Sequence, residues 1–359
     1  MLRTIVRAVV LGGALCLGQA SLAADFTGKT VSFIIPFAAG GGSDVWGRFN
    51  AQFLAKHLPG HPNVLIRNVP GGGSISGANF FAANARPDGL TIFGTGGSTQ
   101  FPYLLGLQTV KYEYRDWRIV LAAPTGGVTY VARSLGVSSL ADVQKLRGQK
   151  LFYASQGVTS LDLVPLLAFR MLGIDVQFVT GFPGRSEGLL AFEKGETNVD
   201  FQTSAAYIRS AAPLVKNGAA TALFSWGVLD EKGNLIRDPN FPDLPNFAEA
   251  YEQINGKPPA GIEWEALRAF LLAGFPAQKL IVLPKDTADD VLEAYRAAVR
   301  AMLRDPEYLA KRDAYIGEYE QVTDSEAETL YKSAIDISPV ARAWVRDMLA
   351  REYGVNFDK

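Results

Sequence analysis

Residues 33–49, FIIPFAAGGGSDVWGRF, run from an apolar stretch through three glycines into a helical pattern. An unbroken run of bulky apolar residues is typical of a strand buried on both faces of a parallel sheet. Glycines at 40–42 allow a tight turn and let a ligand approach the first amide groups of the helix. This junction therefore predicts an α/β protein with an anion-binding site at a helix N-terminus.

Strand and helix patterns alternate through the rest of the chain. Residues 31–95 contain three strand-like runs separated by two helical ones, which predicts a βαβαβ unit. A second, looser α/β pattern covers about 124–226, and turn-forming residues dominate the connection near 227–259. The C-terminal part is mostly helical, with Asp286 or Thr287 expected to cap an amphipathic helix. At 359 residues, the chain is long enough for two domains.

The N-terminal segment 1–24 has the features of a cleavable secretory signal. Arg3 and Arg7 precede a short apolar run, and small residues follow it. Cleavage after Ala23 or Ala24 would remove Cys16, the one cysteine, and would change the formal net charge from −1 to −3. We therefore expect a periplasmic protein without disulfides, without a basic surface for nucleic acid and without a later membrane span.

Motifs of known enzyme classes are weak or missing. The GKT at 28–30 lacks the glycine that a P-loop places five positions earlier, and the glycines at 71–73 lack the acidic partner of a dinucleotide site. His57 and His61 are the two histidines, and no nucleophile motif or metal-ligand spacing accompanies them. We expect no catalytic residue, cofactor or metal. An exported hydrolase or lyase with an unrecognised carboxylate pair stays open as an alternative.

Four glycine- and hydroxyl-rich loops follow predicted strands: residues 38–44, 71–77, 94–99 and 155–160. Loops at the carboxyl ends of parallel strands are where open α/β sheets bind ligands. Their donors are neutral, which favours a carboxylate that must later be released. Asp44 does not suit an anion site, so we interpret it as a structural residue that caps its helix or pairs with Arg48.

At these loops the chain resembles the Bug-type receptors of tripartite tricarboxylate transporters. SFIIPFAAGGGSDVWGR, LIRNVPGGGSISG, ANARPDGLT, FYASQGVTS and LPKDTADDVLEAYRAAVRAMLRDPEYL match the family's motifs in order. The resemblance implies a type II-like periplasmic binding protein with two lobes, each a mostly parallel sheet flanked by helices. We expect lobe 1 to comprise 25–123 plus about 260–359, and lobe 2 to comprise 124–259.

The family further implies a monomeric receptor that closes on a small organic carboxylate and delivers it to a membrane permease. A ligand sensor for a signalling partner is the other role considered. Thr159 stands where the family usually has glycine, and Phe37 fits a core position equally well. Carried over by motif, the ligand-binding residues are Phe37, Ala38, Gly40, Gly41, Ser43, Ser98, Thr99, Thr159, Ser160, Gly181 and Asp200.

Overall fold

The structure, a computed structural model, describes residues 24–229 and 234–357. The predicted signal segment lies outside the described residues except for Ala24. The strands are β1 (Thr30–Ile35), β2 (Asn63–Asn68), β3 (Thr91–Thr95), β4 (Arg118–Ala123), β5 (Gly127–Ala132), β6 (Phe152–Ser155), β7 (Gln177–Thr180), β8 (Val199–Thr203), β9 (Ala220–Ser225), β10 (Val228–Leu229), β11 (Leu235–Ile236) and β12 (Lys279–Leu283).

The α-helices are α1 (Gly42–His57), α2 (Ile75–Asn84), α3 (Gly97–Leu105), α4 (Leu163–Met171), α5 (Arg185–Glu193), α6 (Ser204–Ala206), α7 (Ala212–Lys216), α8 (Phe247–Asn255), α9 (Ile262–Gly274), α10 (Asp289–Met302), α11 (Pro306–Ile316), α12 (Asp324–Ala334) and α13 (Pro339–Tyr353). A π-helical turn, Tyr207–Ala211, joins α6 to α7.

Two five-stranded sheets form the framework. The first has the order β2-β1-β3-β12-β4 and the second β7-β6-β8-β5-β9. Pairing is parallel within β2-β1-β3 and within β7-β6-β8, whereas β12 and β5 run antiparallel to both of their neighbours. We call the first sheet with its helices lobe 1 and the second lobe 2. In each sheet, four of the five strands therefore point in the same direction, so each sheet is mostly parallel, as predicted.

Two short segments carry the chain between the sheets. Residues 124–126 lead from β4 to β5, and residues 275–278 lead from α9 to β12. The antiparallel strand of each sheet is the first strand after such a crossing. The crossings therefore place the start of β12, at Lys279, beside the boundary between the lobes.

Strand periodicity explains the core of lobe 1. On β1, Phe33 and Ile35 pack with aromatic residues of α1 and with α10, while Ile34 packs with Phe81 and Phe93 on the opposite face. Because successive side chains of a strand point to opposite faces, both faces of the sheet are covered by helices. The apolar character of β1 thus follows from its central position.

The connection after β9 contains more regular structure than its turn-forming residues indicated. It includes the short hairpin β10–β11 and the helix α8, and it carries a fully buried Asp238. In the part of the chain that the structure describes, no helix combines the length and the apolar character needed to cross a membrane.

Candidate functional site

A cavity lies between the lobes at the ends of their strands. It is lined by Phe37, Gly41, Gly42, Ser43, Ser98, Gln156, Leu161, Arg185, Thr203, Gln278 and Lys279. The space open to a water-sized molecule is about 20 Å³. This volume suffices for a water and not for an organic acid, so entry of an acid requires the lobes to move apart.

The glycine-rich loops of lobe 1 face lobe 2 across this cavity. A methyl group added to Gly42 would collide with the hydroxyl of Thr203, and one added to Gly73 would come within 3.2 Å of Ser160 Cβ. The backbone N–H of Leu161 donates to Ser98 Oγ over 3.2 Å across the same boundary. The absence of side chains at 42 and 73 therefore permits this close approach of the lobes.

Helix α1 points its N-terminus at the cavity. Its N-cap is Gly41, which has no side chain to accept from the first amide groups. Such amides and the positive end of the helix dipole favour a bound anion. The N-terminus of α1 therefore offers backbone amides, and no capping side chain, to the cavity.

Asp44 is not part of the cavity lining, and its carboxylate is engaged within lobe 1. Its carboxylate accepts hydrogen bonds from Gly40 N–H, Arg48 Nε and Asn68 Nδ2, each over 2.9 Å. Burial alone would raise the pKa of Asp44, but these donors bring it below its ordinary value. Through the hydrogen bond from Gly40 N–H, the Asp44 carboxylate therefore fixes the glycine loop to the first turn of α1.

Lys279 is the first residue of β12, and it lines the cavity with 4% of its surface exposed. Its Nζ donates to Ser43 Oγ over 2.7 Å. Burial, together with the positive charge of Arg185, lowers the pKa of Lys279 to about 7. The cavity therefore contains an ammonium group that loses its proton near neutrality.

Arg185 is the second cationic residue in the lining. Its guanidinium forms a buried ion pair with Asp162, donates to Tyr153 Oη over 2.7 Å and stacks over the ring of Phe201. Burial lowers the pKa of Arg185, but Asp162 and Tyr153 outweigh it and raise the pKa above the usual value. Arg185 is therefore charged and already neutralised by a neighbour.

Thr203, at the end of β8, supplies an unsatisfied polar group. Its hydroxyl is buried and has no hydrogen-bond partner among the described residues. A buried hydroxyl without a partner is costly, and its position in the lining makes it available to a ligand. No acidic side chain is part of the cavity lining within the described chain.

The structure brings together four of the residues carried over by motif: Phe37, Gly41, Ser43 and Ser98 line the cavity. Ala38 and Gly40 lie in the same loop as Gly41 but outside the lining. Thr99 Oγ1 is instead paired with Ser74 Oγ, and Ser160 Oγ donates to Gly157 O within its own loop. Thr159, beside Ser160, is also outside the lining.

Two of the lobe 2 residues lie elsewhere. Asp200 lies within β8, where Tyr130 and Gln202 donate to its carboxylate, so it does not lie on a loop facing the cavity. Burial raises the pKa of Asp200 to about 6. Gly181 follows β7 with a positive φ of 108°, and it does not contribute to the lining.

Besides the neutral donors of the predicted loops, the lining contains two cationic side chains that lie outside those loops, Lys279 and Arg185. Of the five other lining residues, Gly42 and Gln156 belong to two of the predicted loops, whereas Leu161, Thr203 and Gln278 were not predicted from the sequence. A charged residue opening the otherwise apolar strand KLIVL was the one available signal for Lys279. The described residues contain no group of three or more His, Cys, Asp or Glu suited to a metal.

Comparison with known proteins agrees with this architecture. No family model matches the chain. A UPF0065 protein of Bordetella pertussis is 28% identical over 307 residues, which cover 82% of this chain and 83% of that protein. The comparisons confirm the resemblance to the Bug-type receptors.

Solved structures establish the fold of this Bug-like chain. The periplasmic binding protein BugD superposes with a TM-score of 0.67 at 18% identity, covering 91% of this chain and 98% of BugD. Rpa4515 of R. palustris, solved with adipate, superposes with a TM-score of 0.68 at 20% identity, covering 92% and 99%. The predicted two-lobed periplasmic binding protein fold is therefore confirmed.

Proposed function

We propose that this chain is a periplasmic receptor that captures a small organic carboxylate between its lobes. It delivers the acid to the permease subunits of a tripartite tricarboxylate-type transporter, and it acts as a monomer without catalysing a reaction. The observation that carries the proposal is the cavity between the lobes, where the N-terminus of α1 meets cationic and hydroxyl donors and no acidic side chain of the described residues.

The chemistry of the lining matches a carboxylate. Backbone amides of α1, the Lys279 ammonium and the Thr203 hydroxyl are all donors that face one enclosed volume. Hydrogen bonds with a charged partner are stronger than neutral ones, and exclusion of water strengthens them further. Lobe closure around the acid would then favour the bound form through contacts made by both lobes.

The residues that line the cavity favour one class of carboxylic acid, aliphatic or aromatic, over the other. Among the described lining residues, Phe37 is the one aromatic side chain, and the others are small, polar or aliphatic. The solved relative Rpa4515 carries adipate, an aliphatic dicarboxylate. We therefore propose an aliphatic acid as the ligand in preference to an aromatic one.

Native mass spectrometry of freshly purified protein tests the proposal directly. We expect a co-purified small acid, and the same acid should bind to stripped protein by isothermal titration calorimetry. Micromolar affinity corresponds to about 8 kcal/mol, which a few charge-assisted hydrogen bonds can supply. Failure of every aliphatic and aromatic acid tested to bind the stripped protein would refute the proposal.

One contact favours a second candidate, an exported hydrolase. Ser43 lies at the N-terminus of α1, and its hydroxyl is 2.7 Å from the Lys279 amine. A serine beside a lysine that is neutral near pH 7, with helix amides available for an oxyanion, is an arrangement that hydrolases use.

An activated ester separates the two functions. A hydrolase would release nitrophenol from nitrophenyl acetate with a burst equal to the protein concentration, and Ser43→Ala would abolish the burst. A receptor would show neither the burst nor a difference between wild type and Ser43→Ala, and it would return its bound acid unchanged.

A further inference from the structure

Lys279 is a buried cation without an anionic partner. Its ammonium donates to the neutral hydroxyl of Ser43, and no carboxylate of the described residues forms an ion pair with it. Transfer of an isolated charge into the protein interior is very unfavourable unless an opposite charge and hydrogen bonds accompany it. The described part of the protein does not provide that opposite charge.

Arg185 differs from Lys279 in this respect. Its charge is offset by the ion pair with Asp162, which also accepts hydrogen bonds from Ser155 Oγ and the backbone N–H of Gln156. The two cations of the cavity are thus unequal: one is neutralised within lobe 2, and the other is left for a ligand.

The elements packed around Lys279 contribute few other charges. Helix α1 presents Ser43 and Trp46, and the segment before α12 presents Tyr319 and Gln321. Tyr319 donates to the buried Asp238, and burial raises the pKa values of both groups. Ser43, Trp46, Tyr319 and Gln321 are uncharged, and Arg185 is the cation that acts on Lys279. The carboxylate of Asp162 is paired with Arg185, and that of Asp238 accepts from Tyr319.

We propose that Lys279 is the specificity-determining cation of the receptor, and that a carboxylate of the ligand forms an ion pair with its ammonium group when the lobes close. This inference rests on the proposed function and deepens it. It predicts that the receptor discriminates between an acid and the corresponding amide at the group that reaches Lys279, because the amide leaves the charge unpaired.

Binding is then linked to protonation. With a pKa of about 7 in the closed cavity, Lys279 is largely neutral above pH 8 when no anion is bound there. A bound carboxylate favours the ammonium form, so the receptor takes up a proton on binding. Affinity should fall by up to tenfold for each pH unit above about 7, since protonation becomes part of the binding free energy.

The experiment uses succinate, malate, adipate and benzoate, each beside its monoamide or, for benzoate, benzamide. Thermal shift at about pH 6.5 identifies the acids that bind the stripped, full-length mature protein. Titration calorimetry then measures affinity at about pH 6.5 and 8.5, in buffers of different ionisation enthalpy, for wild type and variants. The variants are Lys279→Met, Lys279→Arg and the exposed control Lys332→Met.

The expected result is preference for the acid over its amide, uptake of up to one proton at about pH 8.5, and at least tenfold weaker binding at the higher pH. Lys279→Met should bind at least tenfold more weakly at about pH 6.5 and without pH dependence. Lys332→Met should behave as wild type. Lys279→Arg, which keeps its charge, should bind better than Lys279→Met at the higher pH.

Proton uptake is measured on the wild-type protein alone, so the inference can still be tested if one of the variants fails to fold. If an acid binds without proton uptake and with the same affinity in Lys279→Met, this inference is overturned and the proposed function stands. If no acid of the panel binds the wild type, both are overturned.

Discussion

Gly42 and Thr203 face each other across the boundary between the lobes, at a separation that leaves no room for a methyl group on Gly42. Gly42 belongs to the first turn of α1 in lobe 1, and Thr203 ends β8 in lobe 2. Their contact exists because the lobes are close together. A substitution at Gly42 can therefore test lobe closure without changing a charged group.

We expect Gly42→Ala to hinder closure and to weaken binding of the co-purified acid by roughly tenfold or more, equivalent to about 1.4 kcal/mol. Small-angle scattering should show a larger radius of gyration for the ligand-saturated variant than for saturated wild type. Gln52→Ala, on the exposed face of the same helix, is the control for a substitution in α1. Equal affinities of the two variants would contradict this role of Gly42.

Lys279 should also give the stability of the ligand-free protein a characteristic pH dependence. Its folded-state pKa of about 7 lies below that of an exposed lysine, so between about pH 7 and 10 the unfolded chain binds a proton that the folded chain does not. The free energy of unfolding therefore rises with pH across this window. The contribution of this one group is on the order of 4 kcal/mol.

Urea denaturation of wild type and Lys279→Met at about pH 7 and 9.5 measures this slope. The variant should be the more stable protein at pH 7, because it removes a buried charge, and the difference should shrink at pH 9.5. Lys332→Met should retain the wild-type slope. Parallel stability curves for wild type and Lys279→Met would show that Lys279 has an ordinary pKa.

Local sequence patterns were sufficient for much of the fold. The apolar run at 31–37 overlaps β1, which ends at Ile35, and the strand-like runs at 128–133 and 198–203 overlap β5 and β8. The amphipathic period near 286–303 contains α10. The predicted cap of α10 at Asp286 or Thr287 is wrong, since Ala288 occupies the N-cap. These elements could be predicted because the spacing of apolar residues shows which face of a strand or helix is buried.

The site itself depends on contacts that local patterns do not encode. Lys279 meets Ser43 across 236 positions of sequence, because the second crossing returns the chain to the first sheet, between β3 and β4. Asp200 opposes Tyr130 through the pairing of β5 with β8, and a strand pattern does not specify its partner strand. The glycine loops were visible in the sequence, whereas the cations opposite them were not.

Asp162 and Arg185 form the buried ion pair that supports the lobe 2 wall of the cavity. Asp162→Asn removes the carboxylate and leaves a buried guanidinium without its counter-charge. Loss of one partner of a buried pair costs about 3–5 kcal/mol, so we expect a large drop in the free energy of unfolding. Chemical denaturation measures it, with the exposed pair of Arg351 and Asp347 tested through Asp347→Asn as the control.

The control should change little, because exposed pairs are screened by solvent and contribute little to stability. An Asp162→Asn protein as stable as Asp347→Asn would show that water reaches Arg185 and compensates its charge. In that case Arg185 would be available to a ligand together with Lys279, and the distinction between the two cations would be lost.

Tyr319 lines a second cavity together with Lys279, and it contacts residues that follow strands of lobe 2. Its hydroxyl donates to Asp238, which lies in the connection after β9, and pairs with Ser204 Oγ over 2.7 Å. Asn240 from the same connection accepts from the backbone N–H of Glu318 over 2.7 Å. The connection therefore fastens lobe 2 to the segment that precedes α12.

Tyr319→Phe keeps the ring and deletes these two hydrogen bonds, leaving Asp238 with its contacts to Asn240. We expect a loss of about 1–3 kcal/mol in the free energy of unfolding, because a buried carboxylate loses a donor. Ligand affinity should fall as well, since closure loses a contact. Tyr315→Phe, at a tyrosine that is 37% exposed, is the control for removal of a hydroxyl. If both variants match wild type in stability and affinity, the connection plays no part in holding the lobes together.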